Sequence, residues 1–161
     1  MDNINYWVKN LELKPHPEGG YFKETYRSKT SGEFAGFTDK RNLSTGIYFL
    51  LEKGNFSAFH RIKSDEMWHF YAGDPLVVHM IDEEGNYNKQ LIGPKLDQGQ
   101  TLQFVVPAGV WFASEVIDQG SYSLVGCTVS PGFDFNDFEL ADKNFVTKFP
   151  VHRTLIQKLV R

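Results

Sequence analysis

Residues 54–73 read GNFSAFHRIKSDEMWHFYAG, and this stretch decides the fold class. It consists of two runs rich in aromatic residues, joined by the polar loop at 63–65, as expected for two short β-strands. Alternate side chains of a strand share a face, which places His60 and Glu66 on the mostly apolar faces of their strands. We therefore expect two neighbouring strands that direct both side chains, from the same face of one sheet, into a cavity. Buried there, each side chain needs the other, a water, a metal or a ligand as its partner.

Short β-rich runs separated by turn residues extend from residue 21 to residue 129. Glycines at hairpin positions occur in LEKGN (51–55) and DEEGN (82–86), where we expect turns between paired strands. Many short strands at roughly 8–12 residue spacing predict a sandwich or a barrel. The predicted strands cover 21–27, 44–51, 55–61, 66–72, 75–82, 87–93, 101–106, 111–116 and 121–129.

Helical patterns occur only near the two ends. Apolar residues at helical spacing predict a helix over 2–13, with Asp2 or Asn3 as its N-cap. We expect a short helical turn at 135–143 and a helix within 152–161. No linker or repeat divides the chain, so 1–161 is interpreted as one domain.

Composition excludes several functional classes. The chain has 161 residues, a formal net charge of −3 and no basic tract, which argues against nucleic acid as a partner. The longest apolar run, at 47–51, is far shorter than the roughly 20 residues of a membrane helix, and no secretory signal is visible. We therefore expect a soluble, cytoplasmic protein without a membrane partner. The single Cys127 rules out an internal disulfide, and we expect a buried, inert thiol.

The segment at 54–73 resembles the first motif of the cupin superfamily, in which Gly, His, Glu and Gly recur at similar spacing. A partial second motif reads GQTLQFVVPAGVWFASEV at 99–116. Five segments in order resemble the small uncharacterised cupin-five family, at 16–28, 44–51, 59–76, 106–113 and 127–143. The resemblance covers about 4–143, leaving 144–161 as a C-terminal tail and helix. It implies an all-β double-stranded β-helix, the cupin jelly roll of germins and dTDP-sugar epimerases, with short N- and C-terminal helices.

The chain departs from the metal-binding pattern that the resemblance implies. Where a typical metal-binding cupin has three His and one Glu, only His60 and Glu66 remain, because Ile62 and Phe112 occupy two histidine positions. Two protein ligands are too few to hold a transition metal firmly, so the residues favour a site without a cofactor. The alternative is a divalent metal held by His60, Glu66 and His69. Strict alternation directs His69 to the opposite face from Glu66, and only a β-bulge would reverse this.

Aromatic residues make up 15% of the chain, enough to line a pocket as well as fill a core. A jelly roll encloses its cavity between two sheets, and core packing alone is the alternative role for these rings. For His16 we expect a structural role in a turn, although the neighbouring Glu18 leaves a role at the cavity rim open. Lys23, Arg27 and Arg61 are candidates for binding an anionic substrate, or else solvated surface charges. The predicted substrate-binding residues are Trp68, Phe70, His79, Phe104, Trp111 and Phe112.

Three functions fit these residues. The first is a carbohydrate-type epimerase or isomerase with His60 and Glu66 as catalytic residues that move a proton. The second is a small-ligand-binding or sensing protein without catalysis, which the replacement of metal ligands by Ile62 and Phe112 favours. The third is a metal-dependent cupin enzyme with a reduced ligand set. The resemblance also implies a homodimer, and exposed strand edges favour such pairing.

Overall fold

The computed structural model describes residues 3–161, which form two six-stranded sheets packed face to face. In spatial order, sheet one contains β1 (Lys14–Pro15), β2 (Tyr21–Arg27), β5 (Thr45–Glu52), β13 (Tyr122–Ser130), β7 (Asp65–Gly73) and β11 (Gln103–Val106). Sheet two contains β10 (Gln100–Thr101), β9 (Tyr87–Ile92), β8 (Leu76–Ile81), β12 (Trp111–Val116), β6 (Phe56–Arg61) and β14 (Glu139–Leu140). The short strands β3 (Ser31–Gly32) and β4 (Arg41–Asn42) pair separately. The predicted all-β jelly roll is thus confirmed.

Short helices flank the sheets, as predicted. Helix α1 (Ile4–Asn10) begins after Asn3, whose side chain accepts a hydrogen bond from the Tyr6 amide at 2.9 Å. Asp2, the other predicted N-cap, lies outside the described residues. The C-terminal segment contains α2 (Phe145–Lys148) and α3 (Arg153–Lys158). No helix within residues 3–161 has the length and hydrophobicity needed to cross a bilayer.

One predicted hairpin is present in the structure, and two other predicted connections differ from it. The glycine turn at 82–86 joins β8 to its neighbour β9, as expected for a hairpin. The turn at 51–55 instead carries the chain from β5 in sheet one to β6 in sheet two. The loop after β6 returns it to β7 in sheet one, so the two strands of the opening motif lie in opposite sheets. The expectation that they are neighbours in one sheet was wrong, because a turn motif fixes a local reversal but not the pairing of the strands that it joins.

The predicted helical turn at 135–143 is a 3₁₀ turn at Phe135–Asp137 followed by strand β14. Further 3₁₀ turns occur at Leu96–Gln98 and Pro150–His152. Strand β14 lies at the edge of sheet two, where it pairs with β6. The segment that follows β13 therefore turns back over the end of the sandwich.

Apolar side chains form three clusters in layers. The largest lies between the sheets and includes Phe49, Trp68 and Phe112. A second cluster lies on the outer face of sheet two, where Trp111 and Phe59 pack under the C-terminal helices. The third lies on the outer face of sheet one, beneath α1. The helices thus cover the outer faces of the sheets and leave the interior to the strands.

Candidate functional site

A cavity of about 470 Å³ opens between the sheets, at the end where β2 finishes and β6 meets β14. This volume lies within the range of roughly 300–1,000 Å³ that is usual for small-molecule sites. Its wall combines apolar rings with titratable groups. The lining residues are His16, Glu18, Phe22, Glu24, Arg27, Thr45, Ile47, His60, Ile62, Glu66, Cys127, Val129, Phe133, Asp134, Phe135, Asn136 and Phe138.

Sheet one contributes a row of four side chains across four strands. Arg27 pairs with Thr45, Thr45 with Val129, and Val129 with Glu66. At a strand spacing of about 4.8 Å, the backbones of Arg27 and Glu66 are roughly 14 Å apart. The row therefore extends from the salt-bridged Arg27 at one side of the cavity to the buried Glu66 at the other.

A β-bulge brings two charged residues of β2 to the cavity together. Residues three apart on a regular strand point to opposite faces. The register shifts between Glu24 and Tyr26, and both Glu24 and Arg27 consequently line the cavity. Nε of Arg27 contacts a carboxylate oxygen of Glu24 at 2.8 Å.

His60 enters the cavity from the opposite sheet. It lies on β6 opposite Phe112 of β12, and the two ring centroids are 4.1 Å apart. Phe112 is almost fully buried beneath the imidazole. The structure therefore brings the two predicted catalytic residues, His60 and Glu66, to one cavity, although from two sheets rather than one.

The loop between β1 and β2 places Glu18 beside His60. Gly19 has a φ of 110°, and a Cβ there would lie 2.1 Å from the Phe56 carbonyl oxygen, so this close approach requires glycine. The carbonyl oxygen of Glu18 accepts from the Ala58 amide at 3.0 Å. The loop is thus pinned to β6, the strand that carries His60.

The imidazole of His60 has acceptors on one side. Its Nδ1 lies 2.7 Å from the Ala58 carbonyl oxygen and 2.7 Å from Oε2 of Glu18. Both neighbours are acceptors, so Nδ1 carries a proton that it donates on this side. The geometry favours the carbonyl as acceptor, because the carboxylate oxygen is buried without a well-aligned donor. Among the described residues no group hydrogen-bonds to Nε2 of His60, which leaves that nitrogen for a ligand.

Burial and charge act against each other in this group. Burial disfavours the charged imidazole, but the carboxylates of Glu18 and Glu66 outweigh it, so the pKa of His60 is raised above 6.5. Burial likewise opposes ionisation of Glu18, and the positive charge of His60 outweighs it, so the pKa of Glu18 is lowered. Each of the two buried side chains therefore favours the charged form of the other.

Glu66 differs because burial prevails. Desolvation raises its pKa from 4.5 to about 7, although His60 acts in the opposite direction. Burial also raises the pKa of the neighbouring Cys127 thiol well above 9.0, so the thiol stays protonated. Cys127 is buried on β13, as expected, but it lines the cavity. The deep end of the cavity thus holds a carboxyl group that exchanges its proton near neutral pH.

His16 contributes no positive charge. Its Nδ1 accepts a hydrogen bond from the Glu18 amide at 3.2 Å, and burial lowers the pKa of its imidazole. Its ring packs edge-on against Phe22, with centroids 4.6 Å apart. His16 therefore lies in the turn, as expected, and it lines the cavity together with Glu18.

An aromatic loop, defined here as residues 131–138, covers one side of the cavity. Phe133, Phe135 and Phe138 pack edge to face, with centroid distances between 5.0 and 6.3 Å. A buried bidentate ion pair of Asp137 with Arg41 of β4, at 2.7 and 2.9 Å, holds the loop to the hairpin of β3 and β4. These contacts fix the rings as a wall beside His60.

The predicted substrate-binding residues lie elsewhere. Trp68 and Phe112 belong to the packed interior, and Phe70 and Phe104 pack against it. Trp111 faces the C-terminal helices, on the other side of β12 from Phe112. None of these five rings lines the described cavity. The inward-facing rings do not reach the cavity because the sandwich interior is filled along most of its length, so such a ring belongs to the core unless it lies at the open end.

The two remaining histidines of the opening region face away from the cavity. His79 lies on the outer face of sheet two, where it contacts the Tyr87 hydroxyl at 2.8 Å and Glu115 at 3.2 Å. His69 lies on the outer face of sheet one and contacts Thr128 at 2.9 Å. Alternation along β7 therefore holds, and no bulge returns His69 to the face of Glu66.

The residues do not fit a metal ion. Within residues 3–161, no three side chains of His, Cys, Asp or Glu are grouped to hold one. The predicted set of His60, Glu66 and His69 is not assembled, because His69 projects from the opposite face of its strand. Ile62 lines the cavity and Phe112 packs under His60. Both positions where the resemblance implies a histidine ligand therefore have apolar side chains that cannot bind a metal.

Among the predicted anion-binding residues, only Arg27 reaches the cavity. Lys23 pairs with Glu12, and Arg61 pairs with Glu139 while its guanidinium lies over Trp111. Sequence reasoning assigned no ligand role to the aromatic loop. The run PGFDFNDF at 131–138 nevertheless indicates an aromatic loop, because three phenylalanines among turn residues cannot all lie on one face of a regular strand.

Comparison with known proteins places the chain among the cupins. A model of the family Cupin_5, cupin superfamily (DUF985), matches residues 5–141. The uncharacterized protein YML079W of Saccharomyces cerevisiae is 33% identical over 148 residues, covering 84% of this chain and 73% of the yeast protein. The crystal structure of protein SO0799 from Shewanella oneidensis has a TM-score of 0.92 at 43% identity, covering 100% of this chain and 99% of that one.

A more distant structure supports the fold alone. The cupin 2 domain-containing protein of Halorhodospira halophila has a TM-score of 0.58 at 13% identity, covering 92% of this chain and 87% of that one. The jelly roll is therefore shared well beyond the range of sequence similarity.

Proposed function

This chain belongs to the Cupin_5 family of the cupin superfamily (DUF985), and we propose that it is an epimerase or isomerase that moves a proton on a small carbohydrate-type molecule. The observation that carries this proposal is the pair of His60 and Glu66, which reach one cavity from opposite sheets. Each is buried, and each has a pKa raised above its ordinary value. Such a pair combines an acid and a base that both function near neutral pH.

The roles follow from the charges. Glu66, with a pKa of about 7, is ionised often enough to remove a proton from a carbon next to a carbonyl group. His60, charged and held by Glu18, donates a proton from Nε2 to the carbonyl oxygen as the C–H bond breaks. A proton then returns to carbon, and the proton on oxygen returns to His60, which restores a carbonyl group. The product has either an inverted carbon centre (epimerisation) or a carbonyl group at the neighbouring carbon (isomerisation). Atoms and charges balance without an added reactant.

Glu18 acts as a positioning residue. Its Oε2 lies 2.7 Å from Nδ1 of His60, on the side of the imidazole opposite to Nε2. A carboxylate there fixes the orientation of the ring and favours its charged form. The packed ring of Phe112, on the other side, prevents the imidazole from turning away.

The experiment measures solvent deuterium exchange into neutral aldoses and ketoses. Wild type should incorporate deuterium at carbon, and the His60→Ala variant should lose this activity by about 10²-fold or more. The matched control is His69→Ala, which removes a histidine from the outer face of sheet one and should retain full exchange. Equal exchange in wild type and His60→Ala, or none with any sugar, would contradict the proposal.

The second candidate is a binding or sensing protein without catalysis. Apolar residues at two ligand positions, Ile62 and Phe112, favour it, because they remove metal chemistry while keeping an enclosed cavity. A sugar that raises the melting temperature yet returns without deuterium would support this function over the first.

We further propose that the active form is a homodimer in the cytoplasm, where its single cysteine stays reduced. Exposed tyrosines support pairing through the outer face of sheet one: Tyr26 and Tyr71 are 56% and 51% exposed. Tyr71 packs against Tyr48 at 5.9 Å. Light scattering at micromolar concentration should give twice the chain mass, and a monomer mass would contradict the dimer.

A further inference from the structure

We infer that the substrate is a monosaccharide-sized ring that carries no phosphate or carboxylate group. This inference rests on the proposed function and names its substrate class. It follows from how the positive charges of the cavity are compensated within the protein. An anionic ligand group needs a free positive counter-charge when it leaves water, and the described wall provides none.

The positive charges of the wall are already used. Arg27 contacts Glu24 at 2.8 Å, and its Nη1 donates to Asn42 at 3.0 Å and to the Phe133 carbonyl oxygen at 3.1 Å. Nδ1 of His60 contacts Glu18 at 2.7 Å, and the charge of Glu66 also raises the pKa of the imidazole. A phosphate at either end would therefore meet a carboxylate as soon as it met a cation.

The wall carries more carboxyl groups than cations. Glu18 faces His60, and Glu24 faces Arg27. Asp134, whose side chain accepts from the Asn136 amide at 2.9 Å, also lines the cavity, and Glu66 is ionised in part near neutral pH. The wall therefore repels a ligand that carries a phosphate or carboxylate group.

The remaining surface suits a hydroxylated ring. Phe22, Phe133 and Phe138 present aromatic faces and edges between two polar ends of the cavity. One end offers the Thr45 hydroxyl, and the other offers Nε2 of His60 with the carboxyl group of Glu66. The C–H face of a pyranose packs on aromatic rings while its hydroxyl groups bond at the ends.

The experiment compares three probes that share one ring: D-glucose, D-glucuronate and D-glucose 6-phosphate. Binding to the full-length protein is followed by NMR through the methyl signals of Ile47 and Ile62, which line the cavity. We expect D-glucose to shift both signals saturably, and each anionic probe to bind at least about tenfold more weakly. Binding of either anionic probe as tight as that of D-glucose, or no shift with D-glucose, overturns the inference.

A variant adds a test in the opposite direction. Glu24→Gln removes the carboxylate that pairs with Arg27, and it should improve D-glucuronate binding about two- to fivefold relative to D-glucose. The matched control is Glu12→Gln, which frees Lys23 outside the cavity and should leave D-glucuronate binding relative to D-glucose unchanged. An unchanged ratio in Glu24→Gln contradicts the inference. Sugar binding without deuterium exchange would instead overturn only the catalytic proposal and leave the charge selectivity standing.

Discussion

Nδ1 of His60 lies 2.7 Å from Oε2 of Glu18, although the two residues are 42 positions apart in the sequence. The contact exists because the glycine turn after Glu18 packs on strand β6. It favours the charged imidazole at a place where burial alone would disfavour it. The chemistry proposed for the cavity depends on this pair.

Replacing Glu18 by Gln should lower the pKa of His60. The variant keeps the burial that disfavours the charged imidazole and removes the largest contribution that favours it. The imidazole signals, followed by NMR over a pH series, should therefore titrate below those of wild type, and deuterium exchange should fall with them. Glu12→Gln, at an exposed ion pair, is the control. An unchanged His60 titration in Glu18→Gln would show that the contact does not set the charge.

Replacing Glu66 by Gln should stabilise the protein at neutral pH. Because the pKa of Glu66 is about 7 in the folded state and 4.5 is its ordinary value, the folded state binds the extra proton between these pH values. Wild type therefore loses stability as the pH rises from about 4.5 to about 7, by at most about 3 kcal/mol. Glu66→Gln lacks this loss. Urea unfolding at pH 5 and pH 8 should give a larger advantage for the variant at pH 8, and an equal difference at both would contradict it.

Replacing Arg41 by Met should release the aromatic loop. The change leaves the Asp137 carboxylate buried without its bidentate partner, which is more costly than removing both charges. The melting temperature should fall, and binding of D-glucose should weaken because Phe133 and Phe138 lose their fixed positions. The double variant Arg41→Met with Asp137→Leu should recover part of the melting temperature. A double variant less stable than Arg41→Met would argue against this account.

Replacing Leu159 by Ala should destabilise the fold. Leu159 is fully buried in the cluster between the C-terminal helices and sheet two, so the change leaves a cavity costing about 2–5 kcal/mol. Val151→Ala is the matched control, since Val151 is 89% exposed and its truncation should be nearly neutral. Urea unfolding measures both. A loss below about 1 kcal/mol in Leu159→Ala would mean that the C-terminal segment contributes little to the core.

Introducing Ile62→His and Phe112→His together should create a metal site. Ile62 lines the cavity and the ring of Phe112 lies against His60, so two more imidazoles would join His60 and Glu66. Added Zn²⁺ should raise the melting temperature of the double variant and leave wild type unchanged. If the folded variant gains no thermal shift with Zn²⁺, these two positions do not account for the missing ligand set.

The sequence predicts the fold, and it predicts that His60 and Glu66 belong to the candidate site. Alternation along single strands placed His60 and Glu66 inward and His69 outward, because a strand has a fixed period of two. It could not show that β6 and β7 belong to different sheets, since pairing depends on contacts distant in sequence. Arg27 reaches the cavity only through a bulge in β2, which breaks the period locally.

The aromatic residues that line the cavity could not be identified from the sequence for another reason. Trp68 and Phe133 are equally aromatic in sequence, but the first fills the sandwich and the second closes its open end. Which inward position faces empty space is a property of the whole packing arrangement. The loop that carries Phe133 is held by Arg41 and Asp137, whose side chains are 96 positions apart in sequence. Such a pairing is not visible in a local pattern.

The central claim is that His60 and Glu66 both exchange protons near neutral pH within one cavity. The most direct measurement is an NMR titration of the wild-type protein that follows the Glu66 side-chain carboxyl carbon together with the His60 imidazole. The account predicts a Glu66 midpoint near 7 and a His60 midpoint above 6.5. A Glu66 midpoint near 4.5, with His60 neutral through the same range, would contradict it.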